Sequence, residues 1–359
     1  MGAVRAGAEA SRPSAPVRPS LSVLIVAWNS REELGRTLPA LTPELREGDE
    51  LIVVDNDSTD DTAAVVAALA PAARLVRMGR NVGFAAGCNA GAEEAGGDLL
   101  VILNPDAAPL PGWGEGIRRP WLEGRGWAAW QALVAEAGGT RINSAGNPVH
   151  FTGIVWAGEH GRPIAEAPAA GEVTCLSGAC LAIPLSTWRA LGGFPERFFL
   201  YHEDVDLSLR LRLRGDVLGI EPAAVVDHDY EFGASGENKW RWLERNRLAT
   251  LVRVYPAPLL ILLAPALLAT ELALLLVSAS GGWGGQKLAA NLEALRWLPR
   301  LLCERRRIQR TRAVGSAEFA SWLSADLDSP FIAGAARSLP ARLALRGYWR
   351  AVRLFLGRR

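Results

Sequence analysis

The chain has 359 residues, enough for two folding units, since one domain typically holds about 100 to 200. Lys+Arg of 39 against Asp+Glu of 38 gives a net charge of +1, so no global field gathers nucleic acid and no such partner is indicated. Cys88, Cys175, Cys180 and Cys303 show neither CxxC spacing nor a nearby histidine pair, which argues against a zinc site or disulfide framework and fits a reducing cytoplasm.

Residues 1–20 are rich in Ala, Pro, Arg and Gly without an apolar stretch and read as a disordered lead. Leu21 to Ala27 is a continuous apolar run of the kind a strand buried on both faces requires, and Asn29 and Ser30 then offer a helix cap. Leu51 to Val54 repeats the pattern, stops at Asp55, and leads through Ser58, Thr59, Asp60 and Asp61 into an alanine-rich helix. Further strands are expected near Arg74 to Met78 and at Leu99 to Leu103, the latter ending at Asn104, Pro105 and Asp106. Strands alternating with helices predict an α/β fold with a mostly parallel sheet. In such sheets ligands bind outside the carboxyl ends of the strands, so Asn29, Asp55 and Asp106 are expected to converge on one crevice.

The segment from Gly112 to Gly171 is looser, and its Trp113, Trp121, Trp127, Trp130 and Trp156 stay unassigned between core and sugar platform. Trp188 to Leu191 followed by Gly192 and Gly193 predicts a short helix with a glycine cap. Glu203, Asp204 and Asp206 open a helix running through Leu213 to Gly215, where the helix dipole favours them whatever the protein does. Behind Phe198, Phe199 and Tyr201, adjacent acids would also be partly desolvated, which suits a base that takes a proton from a hydroxyl. His228 ends an apolar run between Asp227 and Asp229, a setting for a metal or phosphate role. Gly233 to Gly236 reads as a mobile loop, and Trp240 to Leu251 as a helix whose Arg241, Arg245 and Arg247 would meet phosphates or form a solvated face.

Two local motifs are chemically suggestive. Asp106, fixed behind Pro105 at a strand end, suits a hard cation that also binds substrate phosphates, as Mg²⁺ does with one or two carboxylates; an ordinary Asn-Pro-Asp turn is the plain alternative. Gly83, Gly87 and Gly91 fall four apart on one helical face, which suits close packing of helix on sheet at Gly87 and Gly91. This spacing is not the GxGxxG of a dinucleotide fold, which argues against a dehydrogenase.

Taken in order, these segments resemble the family-2 GT-A type inverting glycosyltransferases, in particular their bacterial rhamnosyltransferase-like branch. The matching words are Val26-Ala27-Trp28-Asn29, Val54-Asp55-Asn56-Asp57-Ser58-Thr59-Asp60, Asn81-Val82-Gly83-Phe84-Ala85-Ala86-Gly87 through Asn89, and Leu103-Asn104-Pro105-Asp106. Later come Ser177-Gly178-Ala179-Cys180, Gly192-Gly193-Phe194, Tyr201-His202-Glu203-Asp204-Val205-Asp206-Leu207 through Arg210, and His228. The resemblance implies a GT-A, Rossmann-like catalytic domain over residues 21–254. It implies that Ala27, Asn29, Asp55, Asn56, Asn81, Gly83, Asn104 and Asp106 border a dTDP- or UDP-sugar donor, and that Asp106 and His228 attend a divalent metal, Mg²⁺ or Mn²⁺. Asp204 would be the base, and Gly178, Ala179, Cys180 and Glu203 would stand on the acceptor side. Asn104 replaces the first acid of the Asp-x-Asp found in many relatives, Ala27 a threonine and Asn56 an aspartate, so metal affinity and base recognition stay open.

Residues 255–359 are expected to form a helical, membrane-associated region. Leu259 to Val277 is nearly all apolar and about long enough to cross a bilayer, yet Pro265, Thr270 and Glu271 interrupt it and arginines flank both ends. An interfacial or re-entrant segment on the cytoplasmic face reconciles these features better than a single crossing, and a buried helix broken at its prolines is the third reading. Arg342 to Arg359, basic with Trp349, Leu354 and Phe355, favours anionic lipid. A glycan or lipid-linked acceptor would suit such docking. The rival readings are a sugar nucleotidyltransferase, against which Val26 to Arg31 lacks the glycine-rich loop, and a silent nucleotide-sugar or glycan-binding module.

Overall fold

The computed structural model describes residues 18–229, 238–328 and 339–357. Residues 1–17 of the lead expected over 1–20, the loop at Gly233 to Gly236, and Arg358 and Arg359 lie outside the described residues.

Strands β1 (Leu21–Ala27), β2 (Glu50–Asp55), β3 (Arg74–Arg77) and β4 (Leu99–Leu103) alternate with helices α1 (Arg31–Leu41), α2 (Thr62–Leu69) and α3 (Phe84–Glu93). All seven residues of β1 and all five of β4 are buried, as their unbroken apolar runs require of strands covered on both faces. Gly87 and Gly91 do lie against β1: a Cβ on Gly87 would stand 2.8 Å from a Val26 methyl, and one on Gly91 would collide with Leu24.

The chain continues through β5 (Ala107–Pro109), α4 (Trp113–Leu122), β6 (Trp127–Glu136), β7 (Ile142–Ser144) and β8 (Gly171–Glu172). It then forms β9 (Cys180–Pro184), α5 (Leu185–Leu191), α6 (Glu203–Leu213) and β10 (Val217–His228). One ten-stranded sheet results, with order β3-β2-β1-β4-β9-β6-β10-β5 and with β7 and β8 off the path. The sheet is mixed, which corrects the expectation of a mostly parallel one. β9 runs antiparallel to both β4 and β6, and β5, β7 and β8 are also antiparallel to their neighbours. Two reversals across β9 restore the original sense, so β6 and β10, parallel to each other, point the same way as β1, β2 and β4. The ends of β1, β2, β4 and β10 therefore share an edge with the start of β9.

Helices α7 (Lys239–Val254), α8 (Ala257–Ser280), α9 (Gly284–Arg310), α10 (Ser316–Ser321) and α11 (Leu339–Gly357) complete the described residues. α8 is unbroken over 24 residues with Pro265 inside, which corrects the reading that its prolines would divide it. Among the described residues it is the one helix long and apolar enough to cross a membrane by length and composition. It is not a buried core helix either: Ile261, Leu268, Leu272 and Leu276 are exposed. Glu271 is tied at mid-helix to Arg247 of α7 and, at 2.7 Å, to Lys287 of α9.

Candidate active site

A cavity of about 700 Å³ lies along the shared strand edge and is lined by Asn56, Asn81, Gly83, Asn104, Asp106, Gly178, Ala179, Glu203, Asp204 and His228 among others. Asp106 and Asp204, 98 positions apart by their numbers, face one cavity.

The turns after β1 and β2 brace each other. The Asn56 N–H donates to the Ala27 carbonyl at 2.8 Å, Asp55 Oδ1 accepts from the Ser58 N–H at 2.9 Å, and Asn29 Oδ1 accepts from the Thr59 N–H at 2.8 Å. Ala27, Asn29 and Asp55 thus hold the loops and do not themselves line the cavity, so of the expected trio only Asp106 reaches it. Asn56 does reach it: its Nδ2 donates to Asn81 Oδ1 at 3.0 Å, its Oδ1 accepts from the Val82 N–H at 2.9 Å, and Asn81 Oδ1 also accepts from the Gly83 N–H at 2.9 Å. Gly83 has φ +85°, and a Cβ there would stand 2.6 Å from the Phe199 carbonyl oxygen.

The Asn104 N–H donates to the Ala179 carbonyl at 2.9 Å, extending the β4–β9 ladder by one rung. Thr37 Oγ1 donates to the Pro105 carbonyl at 2.7 Å and Arg36 to that of Asp106 at 2.6 Å, so α1 fixes this turn. Asp106 Oδ1 lies 3.1 Å from His228 Nε2, and Asn104 Nδ2 lies 3.4 Å from the same nitrogen. A carboxylate oxygen and an imidazole nitrogen at one cavity edge fit a divalent cation whose remaining positions come from phosphate oxygens and water. Among the described residues no cluster of three or more metal-ligating side chains exists, so the chain offers part of a coordination sphere and leaves the rest to a ligand.

At the other edge Asp204 is partly buried at the start of α6; its Oδ2 accepts from the Gly178 N–H at 2.9 Å and its Oδ1 from the Val205 N–H at 2.8 Å. Burial raises its pKa against the lowering effect of those N–H groups. Burial raises the buried Glu203 much further, with the neighbouring Asp204 charge adding to it. Burial thus disfavours the charged form of both acids, and more so at Glu203.

The turn ahead of α6 is held in unusual backbone: Phe199, Tyr201 and His202 have φ of 66, 70 and 71°. Asn246 of α7, fully buried, turns its Nδ2 to the carbonyls of Phe198, Leu200 and Tyr201 at 3.0, 3.0 and 2.7 Å, and Arg245 donates to that of Phe198 at 2.8 Å. Sequence reading missed Asn246, because an amide on an arginine-rich helix carries no local signal. Arg241, Arg245 and Arg247 are held in ion pairs and do not form a solvated face, and Arg247 also borders the cavity. Arg241 and Arg245 pair with Glu293 of α9, and Arg247 with Glu244 and Glu271. Cys180 is a further correction: it is wholly buried in the core, where burial pushes its thiol up to about 12, while Ser177, Gly178 and Ala179 line the cavity. Of the five unassigned tryptophans, Trp156 alone lines the cavity, joined by Trp28 of the Ala27 to Asn29 turn and by Trp240 and Trp242; Trp113 and Trp130 are core.

Residues 22–170 match the family described as Glycosyl transferase family 2. With the fold, that match makes the chain similar to the GT-A, family-2 glycosyltransferases over that stretch. Its relatives include the N-acetylglucosaminyl-diphospho-decaprenol L-rhamnosyltransferase of Mycobacterium tuberculosis, 28% identical over 238 residues, which are 58% of this chain and 75% of that one. The pre-mycofactocin glycosyltransferase of the same organism is 27% identical over 223 residues, 61% of this chain and 44% of the relative. Among solved structures, that of GalNAc-T7 with UDP, GalNAc and Mn²⁺ superimposes with a TM-score of 0.55 at 16% identity, over 66% of this chain. The chain spans about half, 48%, of that solved chain.

Proposed function

We propose that residues 21–254 form an inverting transferase that moves a sugar from a dTDP- or UDP-sugar to a hydroxyl of a lipid-linked glycan acceptor, with Asp204 as general base. The observation that carries this reading is the Asp204 carboxylate. It is oriented by two backbone N–H groups, has a raised pKa, and lines the same cavity as Asp106 and His228. A base near its working pH takes a proton most efficiently, and desolvation moves a carboxylate in that direction.

Asn56, Asn81 and Gly83 would border the donor's base and ribose, and Asp106 with His228 its diphosphate. A divalent cation held there would neutralise charge on the departing diphosphate, as the Mn²⁺ and UDP in the GalNAc-T7 structure suggest. Attack on the face opposite the leaving group inverts the anomeric centre without a covalent intermediate. Gly178 and Ala179 would border the acceptor. The rhamnosyltransferase relative supports L-rhamnose as donor sugar and a polyprenyl-diphosphate sugar as acceptor.

Membrane docking belongs to this reading. α8 is fixed at its midpoint to α7 and α9 by Glu271, and detaching that acid into a bilayer would cost several kcal/mol. This supports the interfacial placement that the reading puts at the cytoplasmic face, with the exposed leucines of α8 entering the lipid. The test is transfer from dTDP-rhamnose and UDP-sugars to membrane lipid extract, followed by mass spectrometry. Asp204→Asn is expected to fold, bind donor and lose about 10² to 10⁴ in rate; turnover close to wild type would remove Asp204 from the role.

A further inference from the structure

A second cavity, of about 470 Å³, opens between the end of α5, the Glu196–Phe198 turn, α6 and α9, and has no part in the site above. Its walls are unusually basic. Arg210 and Arg253 are buried there and share Asp206, at 2.7 Å each, and Arg253 also meets Glu304 at 2.8 Å. Arg214 pairs with Asp216 at 3.1 Å. Arg189 and Arg197 add two more guanidiniums. Arg300 approaches Glu304 only at 4.0 Å, and no ion pair is formed by Arg307 among the described residues. Seven arginines facing four carboxylates (Glu196, Asp206, Asp216 and Glu304) leave an excess of three positive charges around one concave space.

The position of this cavity on α9 identifies its occupant. At roughly 100° per residue, positions 297, 301, 304, 308 and 311 face the cavity, while Leu288, Leu292, Leu295 and Leu302 share the opposite side and are exposed, with Arg306 and Arg310 continuing that side in the last turns. Arg296, Arg300 and Arg307 form a flank between the two. A helix with an apolar face and a guanidinium flank lies in a bilayer interface with its leucines at the acyl boundary, and this places the flank at the level of phosphate groups. The cavity mouth then opens at that depth.

We propose that this cavity binds the headgroup phosphate of an anionic phospholipid, with Arg300 and Arg307 closing on it from α9. Resting on the membrane-docked reading above, it adds to that reading a defined lipid site in place of diffuse attraction. The cavity wall at Glu196–Phe198 runs directly into the turn that precedes Glu203 and Asp204, so a bound headgroup would set the catalytic cleft at a fixed height above the lipid surface.

The test is calorimetric titration of the full-length protein, without donor or acceptor, using dihexanoyl-phosphatidylglycerol below its micelle-forming concentration. Dihexanoyl-phosphatidylcholine and inorganic phosphate are the other probes. Saturable one-to-one binding of the anionic lipid is expected, with much weaker binding of the other two. Arg300→Ala/Arg307→Ala should weaken it about thirtyfold, from about fivefold per guanidinium facing anionic lipid. Arg306→Ala/Arg310→Ala removes the same charge outside the cavity and should leave binding unchanged. Absent or non-saturable binding overturns the site, and so do equal losses in both double variants or no loss in the cavity pair. Phosphate binding as tightly as the lipid reassigns the cavity to free anions and overturns the lipid proposal. A failed sugar-transfer assay leaves the lipid titration standing, so the two readings fail separately.

Discussion

The Gly178 N–H donates to Oδ2 of Asp204 at 2.9 Å, so a main-chain donor from the β9 side of the sheet aims the carboxylate that opens α6. The pH profile should report this arrangement. In the proposed mechanism Asp204 acts in its ionised form, and burial raises its pKa, so the acid limb of kcat is expected above the usual carboxylate range of about 4. An acid limb at the ordinary aspartate value would contradict the assignment.

Stability should move in the opposite sense to activity. Both Glu203 and Asp204 have raised folded-state pKa values. The stability tied to their protonated forms is therefore full below about pH 4 and is lost as pH rises through the folded values. Asp204→Asn and Glu203→Gln are thus expected to melt at higher temperature than wild type at neutral pH, with the gain vanishing near pH 4. Equal melting curves at every pH would show that burial costs these acids nothing.

Cation dependence should trace to the Asp106–His228 pair, whose atoms lie 3.1 Å apart. Chelation is expected to abolish transfer and Mn²⁺ or Mg²⁺ to restore it. Asp106→Asn should raise the cation concentration needed for UDP binding, measured by calorimetry, with little change in melting temperature. Unaltered nucleotide binding across cation concentrations in both proteins would exclude this pair.

Gly83→Ala should damage both fold and rate. The new Cβ would press on the Phe199 ring and carbonyl at a positive φ, at a cost of about 2 kcal/mol or more. Since Phe199 leads into Asp204, kcat is expected to fall while donor affinity persists. Asn246→Ala releases the carbonyls of Phe198, Leu200 and Tyr201 from the other side and should reproduce the kcat loss. Unchanged kcat in both variants would uncouple the turn from catalysis.

Lys287 is buried against Glu244 at 2.5 Å and Glu271 at 2.7 Å. Burial alone would raise Glu244, but Arg247 and Lys287 outweigh it and hold the acid down at about 2. Lys287→Met should destabilise by about 3 to 5 kcal/mol at neutral pH by leaving carboxylates uncompensated. Stability linked to Glu244 is present above about pH 4 and lost as pH falls toward 2, so the deficit should shrink in acid. A deficit independent of pH would point to packing instead.

The amino-terminal half was legible because β1 and β4 are buried on both faces, so their apolar runs needed no knowledge of the partner strand. The direction of β9 was not legible: Cys180 to Pro184 is apolar in either orientation, and its pairing with β4 is settled only by the assembled sheet. Motif words located Asp106, Asp204 and Asn56 but not the facing of each side chain. Ala179, one residue ahead of β9, borders the cavity, while Cys180, the first residue of the strand, is sunk in the core. Ion pairs between α7 and α9 escaped for a similar reason, since Glu293 lies about fifty positions beyond Arg241 and Arg245.

The rung from the Asn104 N–H to the Ala179 carbonyl, continuous with the Leu103 to Cys180 pairing, acts as a ruler cut in peptide groups. It spaces the two halves of the cleft without consulting any side chain. Side chains on either bank can be exchanged without moving these peptide groups, so the span across the cleft does not depend on what lines it.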